Sequence, residues 1–302
     1  MSNALKEFVH AHPGRDFHRD GLRYHFLDEG EGEPVVMVHG NPSWSFYYRG
    51  LVETLSPSYR TIVPDHIGCG YSDKPSDDAY DYTLKSRVDD LEALLEHLGI
   101  DGGLTLVLHD WGGMIGMSYA TRHPERVARL VVLNTAAFHL PTTKTFPWPL
   151  WACRDTPLGA WLVRGLNLFA RSTARIGCKH HPLPRDVREA YVTPYNSWDN
   201  RIAIHRFVQD IPLRPGERTF DLVTEVQERL PLLAGVPMLV GWGMKDFVFD
   251  HHFLAEWQRR FPRAEVHRFA QAGHYVLEDE ADALVPLITS FLAMHPVARE
   301  AV

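Results

Sequence analysis

The stretch Leu104-Thr-Leu-Val-Leu-His-Asp-Trp-Gly-Gly-Met114 constrains the fold more than any other part of this sequence. An apolar run ends on Asp110, and small residues with a helix-like pattern follow at once. A strand that turns this sharply into a helix presents one side chain at the head of a sheet, and here that side chain is a carboxylate. A carboxylate is ill suited to acyl transfer, because the anhydride it forms is itself reactive. It is well suited to displacing a leaving group from a carbon centre. This single residue directs the reading towards chemistry at an alkyl carbon.

The rest of the composition is permissive. A chain of 302 residues, 45% hydrophobic and 23% charged, suits a soluble globular protein with a sizeable core, and the length alone is consistent with two domains. A net charge of -7 argues against an electrostatic hold on nucleic acid. No apolar run approaches the roughly 18 residues of a transmembrane segment, and the start of the chain lacks the apolar stretch of a signal peptide. Cys69, Cys153 and Cys178 are odd in number and widely spaced, which fits reduced thiols in a cytoplasmic protein.

Short apolar runs at 35–38, 59–63, 104–108, 127–133 and 236–240 read as buried strands. Leu84, Val88, Leu91, Leu94, Leu95 and Leu98 recur between them at helical spacing, with Gly99 as a stop. A second helix opens behind Asp110 over 114–121, and a last one covers 281–294. Alternation of this kind predicts an α/β fold with a mostly parallel sheet and helices on both faces. The rhythm breaks over 139–225, where prolines punctuate a stretch rich in aromatics, including Phe146, Trp148, Trp151, Trp161 and Phe169. Ligands of such sheets bind beyond the carboxyl ends of the strands. The expectation is therefore a core of 1–138 and 226–302, with 139–225 inserted after the sixth strand as a helical cap over the site.

Four motifs fall at strand ends: His39-Gly-Asn-Pro42, Asp110-Trp111, Gly241-Trp-Gly-Met-Lys-Asp246 and Gly273-His-Tyr275. Asp110, Asp246 and His274 follow the nucleophile–acid–histidine order of the α/β-hydrolases. The acid orients the histidine and stabilises its cation, and the histidine serves the nucleophile. The place after the sixth strand, Leu133-Asn-Thr135, holds no carboxylate, which leaves Asp246 as the acid. Leu108 departs from the small residue usual two positions before the nucleophile, while Gly112 keeps the second small position. His39 and His109 read as structural. The adjacent pairs His180-His181 and His251-His252 are not expected to face one point, so no metal is expected. Gly68-Cys-Gly70 lacks the third glycine of a dinucleotide loop, and no cofactor is called for.

His39-Gly-Asn-Pro-Ser-Trp-Ser-Phe-Tyr-Tyr-Arg49, Pro64-Asp-His-Ile-Gly-Cys-Gly-Tyr-Ser-Asp-Lys-Pro75 and His109-Asp-Trp-Gly-Gly113 resemble the haloalkane dehalogenases of the α/β-hydrolase superfamily. That resemblance implies an eight-stranded sheet, Asp110 as nucleophile, and Asn41 and Trp111 as donors to the leaving anion. Backbone N–H groups near Asn41 and Trp111 would form an adjacent oxyanion hole. Leu133-Asn-Thr-Ala-Ala-Phe-His-Leu-Pro141, Phe146-Pro-Trp-Pro149, Tyr195-Asn-Ser-Trp-Asp-Asn-Arg201, Arg206-Phe-Val-Gln-Asp-Ile-Pro212 and Trp242-Gly-Met-Lys-Asp-Phe-Val-Phe-Asp250 are more specific. They look like an offshoot of that family, the β-lactone decarboxylases of bacterial long-chain olefin biosynthesis. The resemblance implies a hydrophobic dialkyl β-lactone as substrate, a cis-alkene and carbon dioxide as products, and acyl-condensing and lactone-forming enzymes of the same pathway as partners.

A β-lactone and an alkyl halide share a carbon bearing an anionic leaving group. Attack at the ring C–O carbon and attack at the carbonyl both remain open at the level of sequence. The rival readings are a haloalkane dehalogenase, in which His274 activates water, and an epoxide hydrolase, for which Tyr191 and Tyr195 would supply protons. A non-catalytic scaffold would leave Asp110, Asp246 and His274 without a purpose.

Overall fold

The computed structural model describes residues 1–297; residues 298–302, the end of the expected core segment 226–302, lie outside the described residues. Eight strands form one sheet: β1 (Arg15–Arg19), β2 (Leu22–Glu29), β3 (Pro34–Val38), β4 (Arg60–Pro64), β5 (Leu104–Asp110), β6 (Val127–Thr135), β7 (Met238–Gly243) and β8 (Glu265–Phe269). Their order is β1-β2-β4-β3-β5-β6-β7-β8. β2 runs antiparallel to β1 and β4, and every other pair is parallel. This is the α/β-hydrolase arrangement expected from the motifs.

β5 lies between β3 and β6 with all of its residues buried, so its sequence reads as a continuous apolar run. Side chains alternate across the sheet: Leu106 and Leu108 enter one core, Val107 the other. The first core receives the apolar faces of the helices Leu84–His97 and Trp111–Arg122. The second receives Arg49–Leu55 and Ala281–Met294. Thr83 caps the helix Leu84–His97 by accepting from the Ser86 N–H, and Gly99, at φ 66°, ends it as its position predicts. The helix behind Asp110 starts at Trp111, three residues before the apolar pattern that announced it.

Between β6 and β7 the chain forms short helices, Trp148–Asp155, Pro157–Ala160, Leu168–Ile176, Arg185–Val192 and Ile202–Gln209, with one wide π-helical turn at Trp161–Gly165. Pro147, Pro157 and Pro184 sit at or just before helix starts, where a missing N–H costs nothing, and this keeps the elements short. The helix Phe220–Arg229 spans the expected boundary between 225 and 226 and packs against Trp111–Arg122, with Val223 and Val226 in the same core as Leu106. Among the described residues, no helix is long and apolar enough to cross a membrane.

Candidate active site

Asp110 occupies the turn between β5 and its helix at φ 51°, a conformation that L-residues with a Cβ adopt only when the surroundings impose it. The imposition is visible on both sides. The Thr135 hydroxyl donates to the Asp110 carbonyl oxygen. Gly40 brings the β3 loop so close that a Cβ there would stand 2.1 Å from Asp110 Oδ1. Leu108, the residue too large for the usual elbow pattern, is accommodated by Gly116 one turn into the helix. A Cβ on Gly116 would meet Leu108 Cδ2 at 2.2 Å, so the space normally left by a small strand residue is supplied by the helix.

The carboxylate of Asp110 is buried, and its two oxygens face different partners. Oδ1 accepts the Asn41 backbone N–H at 2.5 Å, and the Trp111 backbone N–H also favours the charged form. Oδ2 lies 3.7 Å from His274 Nε2. Burial is the larger influence and pushes the carboxyl up to about 6, against the pull of His274 and the two N–H groups. Burial works against the His274 cation, but Asp246 and Asp110 outweigh it, and the imidazole is raised above its ordinary value.

His274 Nδ1 donates to Asp246 Oδ2 at 2.8 Å. Asp246 is held in turn: the Val248 N–H donates to Oδ1 at 2.8 Å and Asn134 Nδ2 donates to Oδ2 at 3.1 Å. Asn134 sits at the end of β6 with φ 35° and also accepts from the Gly243 N–H at 2.7 Å, tying β6 to the Asp246 loop. In the sequence this residue registered only as the absence of an acid; its role as a brace becomes visible with the register of β6 and β7. His109 Nε2 lies 2.9 Å from the His274 carbonyl oxygen, and burial holds its imidazole far below the ordinary value, hence neutral. His39 Nδ1 lies 2.8 Å from the Gly40 carbonyl oxygen and its Nε2 accepts from the His66 N–H, which fixes the loop that carries Asn41.

Asp110, His274, Asn41 and Trp111 converge on a cavity of about 560 Å³. Asn41 Nδ2 gives one of its two N–H groups to the Ile204 carbonyl at 3.1 Å, and Asn41 Oδ1 is buried without a partner; the Trp111 side chain lines the cavity beside it. The remaining wall is mostly apolar, with Phe138, Phe249 and Phe253 from the sheet side and Leu150, Phe169 and Ile176 from the inserted helices. Lys144 lines the cavity too and joins the two halves through a 2.6 Å ion pair with Asp250.

Two expectations are corrected. Tyr191 and Tyr195 do not line this cavity: the Tyr191 hydroxyl donates to Glu278 and that of Tyr195 to the Ser43 carbonyl, both in the buried core, so neither is placed to protonate a substrate oxygen. His251 and His252 do bring donor atoms together with Asp250, within 4.8 Å of one another, at the first turn of the helix His251–Arg260 that Asp250 caps. Asp250 is already engaged there by Lys144 and the His252 N–H, and His252 Nδ1 by Thr143.

Residues 33–281 match the model of the α/β hydrolase fold family. The chain is 58% identical to a cis-3-alkyl-4-alkyloxetan-2-one decarboxylase of Shewanella oneidensis over 91% of this chain and 86% of that protein. It is 30% identical to haloalkane dehalogenase 2 of Mycobacterium tuberculosis over 88% of this chain and 90% of that protein. The solved haloalkane dehalogenase of Agrobacterium tumefaciens C58 superposes with a TM-score of 0.83 at 24% identity, covering 94% of this chain and 97% of that one. The chain belongs to the α/β-hydrolase family, in the branch that holds the oxetanone decarboxylases and the haloalkane dehalogenases.

Proposed function

We propose that this chain is a β-lactone decarboxylase that converts cis-3,4-dialkyl oxetan-2-ones to cis-alkenes and carbon dioxide, with Asp110 as nucleophile. The observation that carries the reading is the Asp110 carboxylate itself, with Oδ1 held at a backbone N–H, Oδ2 beside His274, and an apolar cavity in front. Such a group can displace an anion from carbon, and the 58% identity to a named oxetanone decarboxylase favours a ring carboxylate over a halide as that anion.

Asp110 Oδ2 attacks the ring C–O carbon with inversion, forming an alkyl ester and releasing the ring oxygen as a carboxylate. The free N–H of Asn41 and the indole N–H of Trp111 hold that carboxylate. Carbon dioxide then leaves antiperiplanar to the ester, its bonding pair forms the alkene, and the Asp110 carboxylate is expelled unchanged. Inversion followed by anti elimination amounts to a net syn loss, so a cis ring gives a cis alkene. Water takes no part, which suits an apolar cavity. His274, charged between Asp110 and Asp246, balances the carboxylates and has no ester to hydrolyse. Residues 139–225 act as the cap, and each methylene of the alkyl chains buried beneath it contributes about 0.8 kcal/mol.

The dehalogenase reading uses the same residues, with His274 as the base that directs water onto the ester, and the 30% identical relative favours it. Purified protein given a cis-3,4-dialkyl β-lactone and, separately, a 1-haloalkane distinguishes the two. Cis-alkene from the lactone is expected; halide release with no alkene would replace the decarboxylase by the dehalogenase.

A further inference from the structure

The outer surface of the helices between β6 and β7 leaves an unusual amount of apolar side chain in water. Trp148 is 77% exposed, Trp161 54%, Trp151 47% and Trp198 45%, and Leu158, Leu166, Leu168 and Ile176 are exposed beside them in sequence. The elements that carry them pack in series. Trp148–Asp155 touches Pro157–Ala160, which touches the turn Trp161–Gly165, and this turn touches both Leu168–Ile176 and the turn Asp199–Arg201. Isolated exposed apolar residues are ordinary, but a joined set of this size marks an interaction surface.

The charge of the same region is opposite in sign to that of the molecule. Residues 156–185 contain Arg164, Arg171, Arg175, Lys179 and Arg185 and no Asp or Glu, in a chain of net charge -7. Arg171, Arg175, Lys179 and Arg185 are exposed. Arg164 lies over Trp198, 4.7 Å from the ring centroid, with exposed Asp199 3.6 Å away. Arg185 pairs with exposed Glu189 at 2.8 Å, and exposed Asp155 ends the helix Trp148–Asp155, which leaves Arg171, Arg175 and Lys179 as the basic centre of the face. The cavity opens within the patch: Leu168 and Ile176 line it and are also exposed, as is Phe247 of the β7 loop.

We propose that this face docks on an anionic lipid bilayer, with the tryptophans at the level of the headgroups, the basic residues against the headgroup charge, and the cavity mouth turned towards the hydrocarbon. Indole rings are suited to that boundary, being apolar in body with one polar N–H. Arginine and lysine among exposed apolar side chains match anionic headgroups. A second copy of this chain would bring like charges face to face, which disfavours self-association through the patch. The docking rests on the surface alone and stands apart from the proposed reaction, to which it would supply substrate from the bilayer.

Flotation of the purified full-length chain with phosphatidylcholine vesicles, with and without phosphatidylglycerol, tests this. The expected result is association with the anionic vesicles only, lost on raising the salt. Arg171→Gln together with Arg175→Gln should weaken it by about thirtyfold, at about fivefold per basic residue. Trp148→Ser with Trp161→Ser should abolish it. None of these four residues lines the cavity, and unchanged thermal unfolding would show that the variants are folded. Equal association with neutral vesicles, no association at all, or concentration-dependent dimers that the tryptophan variant dissolves would each overturn the proposal, the last in favour of an interface between copies. Vesicle association is read without turnover, so its failure leaves the proposed reaction standing.

Discussion

At the heads of β3, β5, β6 and β7 the polar groups are closely held, while the inserted helices offer the same cavity mostly hydrocarbon. Asp246 receives donors from His274, Asn134 and the Val248 backbone, and Asp110 receives one from Asn41. Across from them stand Leu150, Phe169 and Ile176. The difference teaches where two kinds of selectivity reside. Charge that moves during a reaction has to be met by dipoles already fixed in place, which a sheet provides. Apolar chains of varying length need only volume and dryness, which short, proline-separated helices provide.

Substitutions on the sheet side should therefore lower kcat, and substitutions on the helical side should shift KM and chain-length preference. The sharpest break is Asp110→Asn, which on the proposed mechanism removes the nucleophile and should cost about 10⁴-fold or more in turnover. Asp246→Asn leaves the shape of the brace intact but takes away the charge that raises His274, and a loss on the order of 10³-fold in kcat is expected. Trp111→Phe keeps the ring and deletes one N–H donor to the developing carboxylate, for about 10²-fold. If Trp111 only packs against Phe207, from which its ring lies 5.3 Å, kcat will not change.

The pH profile separates the two regions without mutation. Burial places the Asp110 carboxyl of the free protein at about 6, so below that pH the neutral, non-nucleophilic acid dominates and kcat/KM should fall tenfold per unit. A flat profile between pH 5 and 7, a window straddling the roughly 6 of Asp110, would detach the ionisation of Asp110 from the limiting step. The smallest effect belongs to the helical side: Phe169→Ala enlarges the cavity and should raise KM for a chain that fills it by about tenfold, with kcat preserved.

Much of the sheet side is legible in the sequence and much of the helical side is not. β3, β4, β5, β6 and β7 are apolar runs because both faces of the sheet are covered. β1 reads Arg-Asp-Phe-His-Arg and β8 Glu-Val-His-Arg-Phe. These are edge strands with one partner each, whose polar side chains hide their period. The strand read from Val236 begins at Met238, because Pro237 has no N–H for the ladder. Asp110, Asp246 and His274 could be read as a set because each stands at a strand end in the order the fold requires. Asn134 could not, since its value lies in contacts to Gly243 and Asp246 more than a hundred residues away. Leu108 broke a local pattern that Gly116 restores in three dimensions. Tyr191 and Tyr195 looked available because sequence does not reveal which face of the short helix Arg185–Val192 is turned to Glu278, nor that the loop after it carries Tyr195 to the Ser43 carbonyl.

The central claim is that Asp110 forms and loses its ester without water. Turnover of a cis-3,4-dialkyl β-lactone in H₂¹⁸O, followed by digestion and mass analysis of the peptide containing Asp110, tests it most directly. The account predicts many equivalents of cis-alkene with no ¹⁸O in Asp110. Accumulation of ¹⁸O in the Asp110 carboxylate, with a hydroxy acid in place of the alkene, would contradict it.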